Sequence, residues 1–450
     1  MASSLDPPKQ DGFRNDPVSW VVAAFALVSL ATWTRFAANG MWGDDWALYA
    51  DALRGTGLAE PIASHFRPLA RLQFAALALV PSATAFHLLS LGVHLLACWS
   101  VWRYLRSRES RRLARITSLL FAGFFLGNEA IYWISATGPI LCLTFVLLAA
   151  RAWREWKPLA ASAFLLVAAL SYELWLVALV LLLFEGKRPW RHLVGPAIVF
   201  ALFLGVSLLV VGGHSLTSYG GPSAANVIPR LALGAFRAVS PLSGPPGFVL
   251  GLLTIAAMAA LGLLSRYRVP VAFYFAAVAV LSLSSLVASR FYYVPQLALA
   301  WIAARAAEDL RWARFAGTAL VVWMGLVGAF VNLRDGEDYR RFSRFHEEIV
   351  ARIASAIGPL REGDVVEIVD RTPDDTVLRM GAAVVGRPKL YFPRPGAIHG
   401  AIHAADLATI AFSRQGYRAT AAEAGSGRRV EVGGGAPARV SAFRARAGGS

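Results

Sequence analysis

The chain reads as an all-α polytopic membrane bundle of about eleven transmembrane helices, followed by a small C-terminal α/β domain on the extracytoplasmic side. Three observations carry that reading. Of 450 residues, 56% are hydrophobic and only 16% are charged, against roughly 25% charged in a soluble domain. Apolar runs recur through the first three quarters of the chain, at or near the length a helix needs to cross hydrocarbon. Positive charge gathers in every second loop between those runs. Together these exclude a soluble enzyme and a disordered chain. The net charge of +16 is dispersed between apolar runs, so it is a topology signal and not a nucleic-acid surface.

Met1–Pro17 is a polar cytosolic tail. Ser19–Phe36 is the first apolar run, and it reads as a signal anchor because many further spans follow it. Those spans sit near Ala85–Leu105, Ile116–Phe125, Ile140–Ala150, Leu159–Leu170, Leu174–Phe184, Leu193–Val211, Phe248–Leu264, Val269–Val287, Tyr293–Ala304 and Phe315–Val331. Several apolar cores are shorter than about 18 residues and reach spanning length only with flanking aromatic and small polar residues. This order puts the N-terminus inside and the C-terminal domain outside. The inner loops then hold Arg103, Arg106, Arg108, Arg111, Arg112 and Arg115, next Arg151, Arg154 and Lys157, next Lys187, Arg188 and Arg191. Arg266 and Arg268 follow, then Arg305, Arg311 and Arg314, so the positive-inside bias agrees at each loop.

Leu69–Val80 is apolar but short and follows Arg67-Pro68. As a span it would reverse the sidedness of the Arg103–Arg115 cluster, so it is read as a helix lying in the outer interface. The first outer loop therefore covers residues 37–84, with a second short helix near Tyr49–Leu53. A second outer loop, Gly212–Gly247, carries Gly212-Gly213, Gly220-Gly221-Pro222 and Pro245-Pro246-Gly247. Those are turn and hinge residues, suited to a plain linker or to a flap over a site.

From residue 332 to 450 the composition changes. Arg334–Ile357 has helical periodicity, Asp364–Asp370 alternates like a strand, and Thr376–Val385 and Ala401–Phe412 read as helices. Arg428–Val432 and Arg439–Phe443, joined by Gly433-Gly434-Gly435-Ala436-Pro437, read as a hairpin. The two cysteines, Cys98 and Cys142, lie in apolar runs as small buried hydrophobes and make no disulfide framework. Arginine far exceeds lysine, and alanine and glycine are plentiful, which is the composition of a GC-rich bacterial genome. The membrane is then the bacterial inner membrane.

Charge close to a bilayer is costly and has a reason. This topology gathers Asp44, Asp45, His65, Arg67, Glu129, Glu173 and Arg290 at the outer face, although they are far apart in sequence. Asp44 and Asp45 lie in Met41-Trp42-Gly43-Asp44-Asp45-Trp46, between indoles. A carboxylate shielded from water there can take a proton, or it can cap the helix that starts at Trp46. An Asp pair also has the donor chemistry for a divalent cation, but no third ligand stands at metal spacing and no metal is assigned. Arg67 beside Pro68 suits an anion, a carboxylate partner or a lipid headgroup. Glu129, at the end of an apolar run, needs a partner or a task. Glu173 falls in a tight turn between two spans. Arg290 in Ser289-Arg290-Phe291-Tyr292-Tyr293-Val294-Pro295 stands against the positive-inside bias, and a guanidinium fork suits phosphate. Tyr292 and Tyr293 fit an aromatic belt or a site wall. His87 and His94 are seven apart and share one face of the second span.

Taken in order, Gly43-Asp44-Asp45-Trp46, Phe66-Arg67-Pro68-Leu69, Phe86-His87 with His94, Asn128-Glu129 through Trp133-Ile134-Ser135, Ser171-Tyr172-Glu173 and the Arg290 segment resemble the GT-C superfamily. These are membrane glycosyltransferases that use polyprenyl-phosphate sugars, and the resemblance is to the bacterial branch near the protein O-mannosyltransferases. It covers roughly Ser19–Val331. It implies a polyprenyl-phosphate-linked sugar donor in the outer half of the membrane and an acceptor hydroxyl of unnamed kind. It also implies inversion through an oxocarbenium-like transition state. The general base would be Asp44, with Asp45 as the competing assignment. Arg290, then Arg67, would meet the leaving phosphate. Glu129 would hold hydroxyls or orient an arginine, and His65, His87, Glu173, Tyr292 and Tyr293 would complete the substrate contacts. The alternative is a transporter or flippase of a lipid-linked saccharide. Transporters place charge near the midplane in repeated halves, whereas here the charge is at one face and no repeat is found.

Overall fold

The computed structural model describes residues 16–37, 40–41, 44–53, 55–62, 65–80, 82–184, 194–211, 227–237, 245–282, 289–309 and 314–357, and six strands beyond them. Among the described residues there are fifteen α-helices. The first five are α1 (Pro17–Phe36), α2 (Asp44–Leu53), α3 (Pro68–Leu79), α4 (Ala83–Arg106) and α5 (Arg111–Gly123). Next come α6 (Glu129–Tyr132), α7 (Gly138–Arg154), α8 (Pro158–Ser171), α9 (Ala178–Phe184) and α10 (Val194–Val211). The last are α11 (Val227–Arg237), α12 (Pro245–Leu263), α13 (Arg268–Leu281), α14 (Pro295–Asp309) and α15 (Arg314–Ile357). Over most of its described residues each apolar run of the sequence is helical, and Leu69–Val80 falls on the separate short helix α3 (residues 193 and 283–287 of the expected runs lie outside the described residues).

Local chemistry sets the ends. Proline opens α1, α3 and α8, where a missing N–H costs nothing. Ser82 caps α4 by accepting from the Ala85 N–H at 3.2 Å, and Ser110 caps α5 by accepting from the Leu113 N–H at 3.0 Å. Arginines close α4 and α7, where cations meet the negative end of the helix. By length and composition, four helical stretches among the described residues can cross a membrane: Pro17–Phe36, Ala83–Arg106, Ile134–Arg154 and Phe315–Arg340. The other apolar helices are shorter. At about 1.5 Å per residue they need the flanking turns to reach across.

The core is one large apolar cluster running through α1, α4, α5, α7, α8, α13, α14 and α15. A smaller one, of Leu48, Phe74, Leu77, Phe86 and Ile134, sits beneath α2 and α3. At the end of the bundle where α1 begins, the Asp16 carboxylate accepts from Ser19 at 2.6 Å and pairs with Arg115 at 2.8 Å and Arg112 at 3.3 Å. Burial pushes that carboxyl up, but Ser19 and the two arginines outweigh it and hold it below its ordinary value. A lowered pKa means a contribution complete above the unfolded value of about 3.9 and lost as pH falls through the folded one. Asp16→Asn is therefore expected to cost about 1–3 kcal/mol at neutral pH. Melting curves in detergent should show that gap at pH 7 and closing in strong acid.

Three expectations are corrected. The outer loop Gly212–Gly247 contains a helix, α11, whose Leu231, Ala232 and Ala235 are buried. Its backbone is tied down by Tyr274, whose hydroxyl donates to the Leu231 carbonyl at 2.8 Å. Its Gly220-Gly221-Pro222 lies outside the described residues. Within the C-terminal part, Thr376–Val385 and Ala401–Phe412 were expected to be helical. Where described, they are strands instead: β2 (Arg379–Met380) and β4 (Ile410–Phe412). Sheet pairing overrides local periodicity there. β4 pairs in parallel with β1 (Val366–Asp370), and β2 pairs antiparallel with β3 (Lys389–Leu390). The expected hairpin is present as β5 (Gly427–Val432) and β6 (Arg439–Phe443), giving the order β4-β1-β5-β6. Its connecting glycines lie outside the described residues. α15 passes unbroken through residue 332, where the change of composition falls.

Candidate active site at one end of the bundle

The acids and arginines meet where α1, α5, α8 and α13 end and α3, α4, α7 and α14 begin. Two buried or half-buried acid–arginine pairs define the place. Glu129 opens α6 and is 1% exposed. Its carboxylate accepts from Arg290 Nη1 at 2.5 Å and from the Arg290 backbone N–H at 3.3 Å. The guanidinium lies over the Trp133 ring, 4.7 Å from its centroid, and beside Phe291 at 5.1 Å. Aromatic faces attract a cation most strongly when it is shielded from water. Removing either partner of such a pair costs far more than an exposed pair does, because the other charge is stranded.

The second pair is built the same way. Arg67, just before α3, gives Glu173 two parallel hydrogen bonds, Nε to Oε1 and Nη2 to Oε2, both at 2.9 Å. His65 Nδ1 stands 3.0 Å from the same carboxylate, and the Arg67 guanidinium lies over Tyr172 at 4.5 Å. Burial would raise the Glu173 carboxyl, but Arg67 and His65 outweigh it and hold it well below the usual carboxylate range. Glu173 is thus a paired anion and not a freely solvated turn residue. Arg67 uses its fork on a carboxylate.

Asp45 is fully buried near the start of α2 and its Oδ1 accepts from the Ser135 backbone N–H at 2.8 Å. Ser135 belongs to a 3-10 turn, Ile134–Ala136, between α6 and α7. Gln73 on α3 donates to the Ile134 carbonyl at 3.2 Å, and Ser90 on α4 meets Thr137 at 2.9 Å. The aspartate segment is therefore bonded to the loop that carries Glu129. α2 starts at Asp44 itself, and Asp45 caps the neighbouring turn at Ser135. The Asp44 side chain lies outside the described residues, as do Trp42 and Gly43.

The remaining predicted residues have protein partners. His87 Nε2 is 3.2 Å from the Gly40 carbonyl, with its ring edge-on to Phe36. The Tyr292 hydroxyl donates to the Arg230 carbonyl at 3.1 Å. Tyr293 OH meets His94 Nδ1 at 2.7 Å, while His94 Nε2 faces the Ala122 carbonyl at 3.1 Å. A carbonyl only accepts, so Nε2 carries the proton, and Nδ1 of the neutral ring accepts a hydrogen bond from the Tyr293 hydroxyl. This ties the Arg290 segment to α4. Among the described residues no three of His, Cys, Asp and Glu gather as a metal site.

Sequence reasoning missed the polar residues that support these loops: Gln73, Asn332 and Asp335. It also missed the close approach at Gly127. A Cβ there would stand 2.3 Å from the Tyr293 Cα, and the Gly127 N–H donates to Gln296 at 3.0 Å. Only glycine lets the Glu129 loop and the Arg290 turn touch. Gly127→Ala is expected to destabilise by about 1–3 kcal/mol through overpacking, read as a lower melting temperature in detergent. The Glu129–Arg290 pair should be displaced with it.

The architecture is a GT-C-like membrane fold: a multi-pass helical bundle with charged loops at one end. One solved structure with this fold is ArnT from Cupriavidus metallidurans bound to undecaprenyl phosphate. It matches with a TM-score of 0.55 at 15% identity, over 92% of this chain and 93% of that one. The same ArnT in the apo state covers the same shares at 16% identity with a TM-score of 0.41. No protein-family model and no curated protein sequence matches the chain.

Proposed function

We propose that this chain is an inverting membrane glycosyltransferase. It takes a sugar from a polyprenyl-phosphate donor and transfers it to an acceptor hydroxyl at the outer face of the bacterial inner membrane. The observation that carries the reading is the Glu129–Arg290 pair: a guanidinium held by a buried carboxylate over an indole. The loop that carries Glu129 also bonds Asp45 through the Ser135 N–H, on a fold that in ArnT was solved bound to undecaprenyl phosphate.

In this reading the acceptor hydroxyl attacks the anomeric carbon as the bond from that carbon to the phosphate oxygen breaks. Asp44 takes the hydroxyl proton. Asp45 is the tether, since its carboxylate already holds the Ser135 N–H. The polyprenyl phosphate leaves with the bonding electron pair, and Arg290 meets its charge. Arg67, engaged with Glu173, shapes the wall between α3 and α8. The N-terminus is cytoplasmic and residues 332–450 are extracytoplasmic. A transporter would carry its charges near the midplane in repeated halves, and the pairs here lie at one end of the helices.

Native mass spectrometry of the detergent-released protein with a panel of polyprenyl-phosphate sugars tests the reading. The expected result is retention of one lipid-linked sugar and its conversion to free polyprenyl phosphate when acceptor is supplied from an envelope extract. Retention of no polyprenyl-phosphate lipid overturns the proposal. Retention with sugar and lipid passed intact across a vesicle bilayer makes the protein a transporter.

A further inference from the structure

The part of α15 beyond its apolar run bears a stripe of buried polar and aromatic residues: Asn332, Asp335, Tyr339 and Ser343, spaced along one helix face. It contacts both acidic loops. Asn332 Nδ2 donates to the Gly123 carbonyl at 2.9 Å and to Ser29 at 3.0 Å, which fixes α15 to the ends of α5 and α1. Asn128 Nδ2 then donates to Asn332 Oδ1 at 3.2 Å and to Asp335 Oδ2 at 3.0 Å. The other Asp335 oxygen accepts from Arg334 at 2.8 and 3.0 Å. Tyr132 donates to the Asn332 carbonyl at 2.9 Å and stacks on Tyr339 with centroids 4.5 Å apart. Further along, Ser343 reaches the Gly40 carbonyl at 3.4 Å, the group that His87 also meets.

We propose that Asp335 is a positioning residue of the site. Through Asn128 it holds the α6 turn so that the adjacent Glu129 keeps Arg290 over Trp133. Asn128 and Asp335 are 1% and 2% exposed, and a buried polar group is tolerated only where its partners are complete. α6 is a single turn of four residues, too short to hold its own orientation. Its Tyr132 and the preceding Asn128 are both bonded to α15, on the same side. The carboxylate that matters thus comes from a helix more than two hundred residues downstream, as the 207-residue separation of Asn128 and Asp335 shows. The role of Arg290 toward phosphate rests on the proposed function above; the placement of Arg290 over Trp133 does not.

The test uses full-length protein carrying 5-fluorotryptophan, with the Trp133 fluorine resonance assigned through Trp133→Phe. Asp335→Leu is expected to shift or broaden that resonance and to weaken retention of polyprenyl phosphate by at least about tenfold. Asp335→Asn keeps an oxygen for Asn128 and should return the resonance to the wild-type position. If Asp335→Leu does not fold, Asn128→Ala cuts the same link and should move the same resonance. An unmoved Trp133 resonance in either folded variant overturns the proposal. A moved resonance in a protein whose wild type retains no polyprenyl phosphate overturns the glycosyltransferase reading and leaves the positioning role standing.

Discussion

Asp44→Asn should retain the lipid-linked donor and turn it over about 10²–10⁴-fold more slowly than wild type, the usual cost of deleting a general base. The substitution keeps volume and shape, so α2 should still begin at residue 44 and Asp45 should still hold the Ser135 N–H. In the proposed mechanism, what is lost is the oxygen that accepts the proton as the acceptor attacks. Donor retention by native mass spectrometry and release of polyprenyl phosphate therefore separate in this variant. Asp45→Asn gives the opposite pattern. Its loss falls on the tether, so melting temperature and donor retention should drop together. Equal turnover by Asp44→Asn and wild type would remove Asp44 from the chemistry.

Arg290→Ala should lose the donor itself. Truncating one partner of a buried, hydrogen-bonded charge pair costs about 2–5 kcal/mol, which is at least about 30-fold in affinity. Two effects are expected. In the proposed mechanism the leaving phosphate loses its cation, which lowers affinity, and the Glu129 carboxylate, 2% exposed as a side chain, is stranded without its partner at 2.5 Å, which lowers stability. Arg290→Lys distinguishes them. An ammonium keeps the charge but has neither the planar fork nor the flat contact with Trp133. It should hold Glu129 and preserve the melting temperature while binding the donor poorly. Glu129→Gln removes the carboxylate charge and tests the converse. If Arg290→Ala binds polyprenyl phosphate as wild type does, the phosphate contact lies elsewhere and Arg67 becomes the next candidate.

These two experiments depend on contacts of very different legibility in the chain. Asp44 and Asp45 stand out because two adjacent carboxylates follow an apolar run and sit between indoles. Arg290 stands out because it breaks the positive-inside pattern. Such exceptions are visible without a structure, since hydrocarbon penalises charge wherever it occurs. Which acid meets which arginine was not visible. Glu129 and Arg290 are 161 residues apart, and Arg67 and Glu173 are 106 apart. No local periodicity encodes pairing at that distance. Asn332 and Asp335 follow the last apolar run and read as the start of another domain. In the structure both are buried and accept hydrogen bonds from Asn128.

The apolar pattern, taken alone, determined that the chain is a helical membrane bundle. It placed the helices, because burial and hydrocarbon act on every residue in register. The partners were decided by packing. Gly127 admits the Tyr293 backbone, the 3-10 turn at Ser135 offers an N–H to Asp45, and α15 continues past residue 332 to grip Asn128. Hydrogen bonds and ion pairs are directional and short-ranged, so they form only once tertiary packing has brought distant segments within about 3 Å.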